Sequence, residues 1–187
     1  MGYALLGHII RRVTGASYRV YLRDELFQPI KLRATTLPGS PGGGVESSAK
    51  DLFVFYDALV GERILNADTL DVAFAPARLN DGTLVETGWP WASHCTAGWH
   101  VATVAGCREI AHRGNFAPGQ TDHPNGFCAY AAAYPDRRLV VVVLQNSDPP
   151  QVLPQLLPHQ PVAEIDASVL AKEIAEIYLY DGKGEGR

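Results

Sequence analysis

The sequence predicts an α+β fold, an antiparallel sheet with helices on its faces. Three observations carry this. Helical spacing of apolar residues dominates to about residue 76, strand-like runs between Gly, Pro, Asn and Asp turns begin at Ala97, and an amphipathic segment, "DASVLAKEIAEIYLYDG", lies near the end. We read one partial domain over 1–187: mainly helical over 1–96, strands over 97–148, a connector over 149–165 and a helix over 166–181.

The opening "MGYALLGHIIRRVTG" places Tyr3, Leu5, Leu6, Ile9, Ile10 and Val13 on one helical face, with Gly15 as a C-terminal stop. This predicts a core helix beginning almost at residue 1. Because most domains open with a few loosely held residues, the chain reads as cut inside a domain. A second helix is expected over about 17–27, capped by Ser17, with Tyr18, Tyr21, Leu22 and Leu26 on one face and Pro29 ending it. "LPGSPGGGV" follows as a permissive loop; no strand leads in and no Gly-Lys-Ser/Thr follows, so it is not read as a phosphate cradle.

Helices are expected over about 48–60 and about 67–74, the latter before Pro76. The strands then read as "AGWHVATVAG", "REIAHRG", "GFCAYAAAY" and "RLVVVVLQN". Short turns at "AGC" and "PDR" predict a meander, and "LVVVVL" predicts a strand buried on both faces. "DPPQVLPQLLPHQP" is a proline-rich connector, and the last helix takes Asp166 or Ser168 as its cap.

Composition narrows the function. A chain of 187 residues with 47% hydrophobic and 19% charged residues can build a packed core. The net charge of -4 and scattered basic residues exclude a phosphate-tracking surface, which makes small molecules the expected partners and nucleic acid not one of them. Cys95, Cys107 and Cys128 form no C-x-x-C pair and no disulfide framework. No run is long enough to span a bilayer. The six histidines show no metal-ligand spacing, so neither metal nor cofactor is expected.

Two stretches could carry chemistry. Ser47-Ser48-Ala49-Lys50 reads Ser-x-x-Lys, a nucleophile signature in which the lysine must be desolvated to act as base. The overlapping Ser48 and Asp51 instead form a capping arrangement ahead of Leu52, Phe53, Phe55 and Tyr56, and capping is the reading adopted. In "REIAHRGNFAPG", His112 followed by Arg113 and Gly114 ends a strand and could face a cleft, or could be a plain turn. His94 and Cys95 adjoin in sequence, which does not make them adjoin in space. No Gly-x-Ser-x-Gly elbow occurs.

Taken in order, "GYALLGHIIRRVTGASYRVYLRDELFQPIKL", "GGGVESSAKDLFVFYDALV", "AGWHV", "IAHRGNFAPG" and "GFCAYAAAYPDRRLVVVVLQNSD" resemble the β-lactamase-related serine hydrolases: class C β-lactamases, D,D-carboxypeptidases and family-VIII-type esterases. The resemblance covers residues 2 to about 148. It implies a β-lactamase/transpeptidase-like fold, here its C-terminal portion, and hydrolysis of an ester, amide or β-lactam through an acyl-serine. It also implies that the family's Ser-x-x-Lys and Tyr-x-Asn lie upstream of Gly2, so that Ser47 and Lys50 are a decoy and this chain alone is inactive. His112, Arg113 and Gly114 match the family's His-x-Gly, whose strand contacts substrate, and the Asn115 amide matches one oxyanion donor. The stretch 117–125 is longer than the family's usual connection. Alternatives are a non-catalytic ligand-binding relic, or a structural partner of a separate nucleophile-bearing chain, with self-association through uncovered apolar surface.

Overall fold

In the computed structural model, which describes residues 2–37, 39, 44–89, 92–116, 126–146 and 166–180, the chain divides into two compact units, Met1–Ile64 and Leu65–Arg187. The proline-rich connector and the 117–125 stretch lie outside the described residues.

The first unit is helical. α1 (Gly2–Thr14) ends where the Gly15 amide bonds back to Arg11, with Gly15 at a φ of 74° that favours glycine. α2 (Tyr18–Leu22) is capped by the Ser17 hydroxyl, which accepts from the Val20 amide, and runs on into a π-helical turn, Arg23–Phe27. An antiparallel bridge pairs Thr36 with Glu46 ahead of α3 (Ala49–Val60).

The opening helix forms, but not as a core helix. Gly7 is its buried residue, while Tyr3, Leu5, Leu6, Ile9 and Val13 are 47–77% exposed. Periodicity fixes which residues share a face; covering that face needs a second element, and α1's stripe is left open to solvent.

The second unit begins with α4 (Ala67–Phe74) and continues as six antiparallel strands in sequential order: β1 (Glu86–Trp89), β2 (Ala92–Cys95), β3 (His100–Val104), β4 (Cys107–Phe116), β5 (Phe127–Tyr134) and β6 (Leu139–Gln145). The sheet therefore starts inside the stretch read as mainly helical. β1 and β2 are four residues each, β1 carries Gly88 at a φ of 67°, and their pairing is irregular, so no period-2 apolar pattern announces them. The β3–β4 hairpin turns on Ala105 and Gly106, both at positive φ, as a two-residue turn matched to strand twist requires.

α5 (Ala167–Leu179) packs on one face of this sheet, capped by Asp166. Its Ala167, Ala171, Ala175 and Leu179 meet Val104, Cys107, Ala111, Cys128, Tyr130, Ala132, Tyr134 and Val141. Alanines every fourth residue let the helix approach closely, and the alternation Tyr130, Ala132, Tyr134 sends both tyrosines to that side. The most buried strand is β5, whose Tyr130 to Tyr134 are all buried. Among the described residues β6 is the sheet edge, with Val141 buried but Leu144 41% exposed, so "LVVVVL" is not covered on both faces. A strand with a neighbour on one side only meets less of the core.

Within this core Glu109 is 1% exposed. The Tyr130 hydroxyl donates to its Oε1 at 2.8 Å and the Tyr134 hydroxyl to its Oε2, while Lys172 Nζ of α5 stands 3.9 Å from Oε1. Burial, then the Glu109 charge, pushes the Tyr134 phenol well up, so it stays a donor. No helix among the described residues is long and apolar enough to cross a membrane.

Candidate functional site

The Ser-x-x-Lys match lies at the start of α3. Ser48 Oγ accepts from the Asp51 amide at 3.1 Å, an N-cap in the position the capping reading expects. Asp51, almost fully buried, accepts from the Ala34 amide at 2.7 Å and from Thr35 Oγ1 at 2.8 Å. Ser47 Oγ lies 2.9 Å from the same Thr35 hydroxyl. Lys50 is exposed on the first turn of the helix. The serine thus belongs to a hydroxyl–carboxylate network that ties the loop to the helix, and the lysine keeps its solvation, which a proton-accepting amine must lose.

His112, Arg113, Gly114 and Asn115 occupy the second half of β4, opposite Ala131, Tyr130, Ala129 and Cys128 of β5. Alternation along the strand divides them. Arg113 turns to the α5 side, where its guanidinium bonds Asp166 at 2.7 Å. His112 and Gly114 take the other side. A Cβ built on Gly114 meets nothing within 4 Å, so that face of the strand end is open.

His112 is not alone. Its ring lies 5.2 Å from that of His100 on β3, the planes 27° apart, and His100 Nδ1 lies 4.0 Å from Cys95 Sγ on β2. Burial, then the charge of His112, lowers His100 to about 4, and burial lowers His112, so both imidazoles are neutral at pH 7. As expected of residues that merely adjoin in sequence, His94 is not the partner of Cys95; register supplies His100, because Cys95 and His100 face each other across the β2–β3 hairpin. His94 points its Nδ1 at the Val85 carbonyl, 3.4 Å away. The signal for the pairing was a short hairpin loop, Thr96 to Trp99, which becomes visible only once β2 is recognised as a strand. Among the described residues no group of three or more His, Cys, Asp or Glu side chains is gathered to hold a metal ion. Neutral, partly shielded imidazoles beside an open strand end can accept or donate hydrogen bonds to an uncharged polar ligand.

Comparison with known proteins puts this geometry in context. The family model for Beta-lactamase matches residues 1–160. A penicillin-binding protein of Bacillus subtilis (strain 168) is 25% identical, with 60% of this chain and 36% of that protein covered. Among solved structures, a D-stereospecific amidohydrolase from Streptomyces sp. superposes with a TM-score of 0.63 at 20% identity, covering 78% of this chain and 48% of that one. The D-amino acid amidase from Ochrobactrum anthropi SV3 complexed with D-phenylalanine gives 0.61 at 20% identity, covering 78% and 53%. The chain thus spans about half, or less, of the length of these relatives. The structural likenesses show a shared fold.

Proposed function

From the premise that this chain belongs to the Beta-lactamase family, we propose that it forms the C-terminal part of a serine hydrolase and supplies one wall of the substrate cleft. The observation that carries this reading is the end of β4: His112 and Gly114 face away from α5, and Gly114 borders open space. In the complete hydrolase a serine oxygen would attack the carbonyl carbon of an ester, amide or β-lactam, the leaving group would take up a proton, and water would release the acyl group. The Asn115 amide would be one of two donors to the developing oxyanion, and removing such a donor costs about 10²-fold or more in rate. His112 would contact substrate as a neutral imidazole, and Arg113 would hold the strand end from behind.

On this reading the nucleophile is not supplied by the residues of this sequence. The Ser-x-x-Lys of this sequence has its serine in the Thr35 and Asp51 network and its lysine exposed, so this chain alone is expected to hydrolyse nothing at a useful rate. The test is turnover of nitrocefin, short p-nitrophenyl esters and D-phenylalanine amide, the last chosen from the amidase likeness. Absence of turnover is expected. Substantial turnover lost in Ser47→Ala would overturn the assignment.

A second reading is favoured by α1. Its exposed stripe of Tyr3, Leu5, Leu6, Ile9 and Val13 suits a structural partner of a separate nucleophile-bearing chain. Light scattering distinguishes it: self-association or aggregation is expected, and a clean monomer counts against it.

A further inference from the structure

We propose that Asp166 is a positioning residue for the cleft strand, acting from the start of α5 through Arg113 to fix the end of β4. The role in substrate contact rests on the reading of that strand given above; the mechanical claim does not.

Asp166 does two things at once. Its Oδ1 accepts from the Ser168 amide at 2.7 Å and the Val169 amide at 3.2 Å, capping α5, and its Oδ2 accepts from Arg113 at 2.7 Å. Both side chains are largely buried, 20% and 17% exposed. A single carboxylate therefore joins the first turn of the helix to the residue between His112 and Gly114. The partners are 53 positions apart in sequence, so only the fold brings them together.

A second contact sets the direction. Four residues earlier on β4, Glu109 faces Lys172, six residues after Asp166 on α5. The strand reads acid then base and the helix acid then base, arranged so that each meets its opposite. Turning α5 end for end would set Asp166 toward Glu109 and Lys172 toward Arg113, two like-charge encounters in a poorly solvated layer. Buried pairs add little net stability against apolar packing, but mismatched ones are costly, so the pattern selects one helix polarity and one register.

Cys128 lies under this joint and reports on it. It is 1% exposed and pairs with Asn115 across the ladder; burial pushes its thiol up, opposed by the Ala167 amide and by Arg113. Cys107, also buried, lies at the opposite end of β4, against the cluster that includes Leu179. If α5 lifts from its first turn, Cys128 reacts with a thiol reagent before Cys107 does.

The experiment compares the full chain with Asp166→Asn, Arg113→Gln and the double variant, by N-ethylmaleimide labelling mapped to each cysteine and by amide exchange at Gly114 and Asn115. Asparagine caps helices about as well as aspartate, so Asp166→Asn removes the charge and keeps the cap. Labelling of Cys128 and exchange at both amides are expected to rise about tenfold in each single variant, with Cys107 unchanged and no further rise in the double variant. The proposal is overturned if Cys128 does not change, if Cys107 rises with it, or if the two single effects add. None of these readouts needs a ligand, so they can fail while the cleft reading stands, and the reverse.

Discussion

At the scale of single residues, the histidines make the clearest pH prediction. His100 takes a proton near 6.5 when unfolded and near 4 when folded, because burial and His112 disfavour its charged form. Between those values the unfolded chain binds more protons, so stability is intact above about 6.5 and falls as the pH drops toward about 4. Urea unfolding at pH 7, 6, 5 and 4 should show the midpoint falling, with a shallower fall in His100→Gln; equal slopes would exclude His100 as the source. Gly114 gives a second prediction. Its Cβ position is open and its backbone is strand, so Gly114→Ala should leave stability unchanged or raise it by about 0.5–1 kcal/mol. A loss of more than that on urea unfolding would mean that something in the fold already occupies this face. The sequence made His112 and Gly114 visible as an end of a strand, since a three-residue motif is local. It could not show that Arg113 meets Asp166, because that partner lies 53 positions away in sequence, nor that Cys95 meets His100, because β2 has no apolar alternation to announce it.

At the scale of elements, start signals were legible and coverage was not. Ser17, Ser48 and Asp166 each cap the helix they precede, because capping is settled within three residues. Ser48→Ala should therefore destabilise α3 by about 1 kcal/mol. In circular dichroism and urea melts it should cost more than Ser47→Ala, whose hydroxyl pairs with Thr35 rather than with the helix. Which strands are buried depends on their order in the sheet, and "LVVVVL" misled because valine content does not say whether a strand is central. The most buried member is β5, where Tyr130 and Tyr134 share a face with Ala132 between them, and its tyrosines serve a carboxylate that no local pattern reveals. Tyr130→Phe removes the donor to Glu109 Oε1 and should cost about 1–3 kcal/mol, the cost of leaving a buried acceptor short. A urea midpoint equal to that of the parent would show that Glu109 is satisfied without it.

At the scale of the whole molecule, the two units have unequal cores and unequal spectroscopic signals. In Met1–Ile64 the buried apolar side chains are few, among them Phe27, Leu37, Tyr56 and Leu59, and α1 leaves its stripe exposed. Leu65–Arg187 holds the core cluster of sheet and α5, with Tyr130, Tyr134, Ile110 and Cys128 almost wholly out of water. Hydrophobic stabilisation follows buried apolar area, so the helical unit should melt first. The three tryptophans, Trp89, Trp91 and Trp99, all belong to the second unit, whereas α1, α2 and α3 of the first carry most of the helix. Tryptophan fluorescence therefore reports the sheet unit, and helical circular dichroism is weighted to the other. On urea titration, the dichroism transition should precede the fluorescence transition. Two coincident curves would mean that the chain unfolds as one cooperative body and that α1's exposed stripe does not weaken the unit carrying it. A partner chain seated on that stripe, as the second functional reading requires, should delay the dichroism transition toward the fluorescence one, since ligation of the native state adds to its stability by mass action.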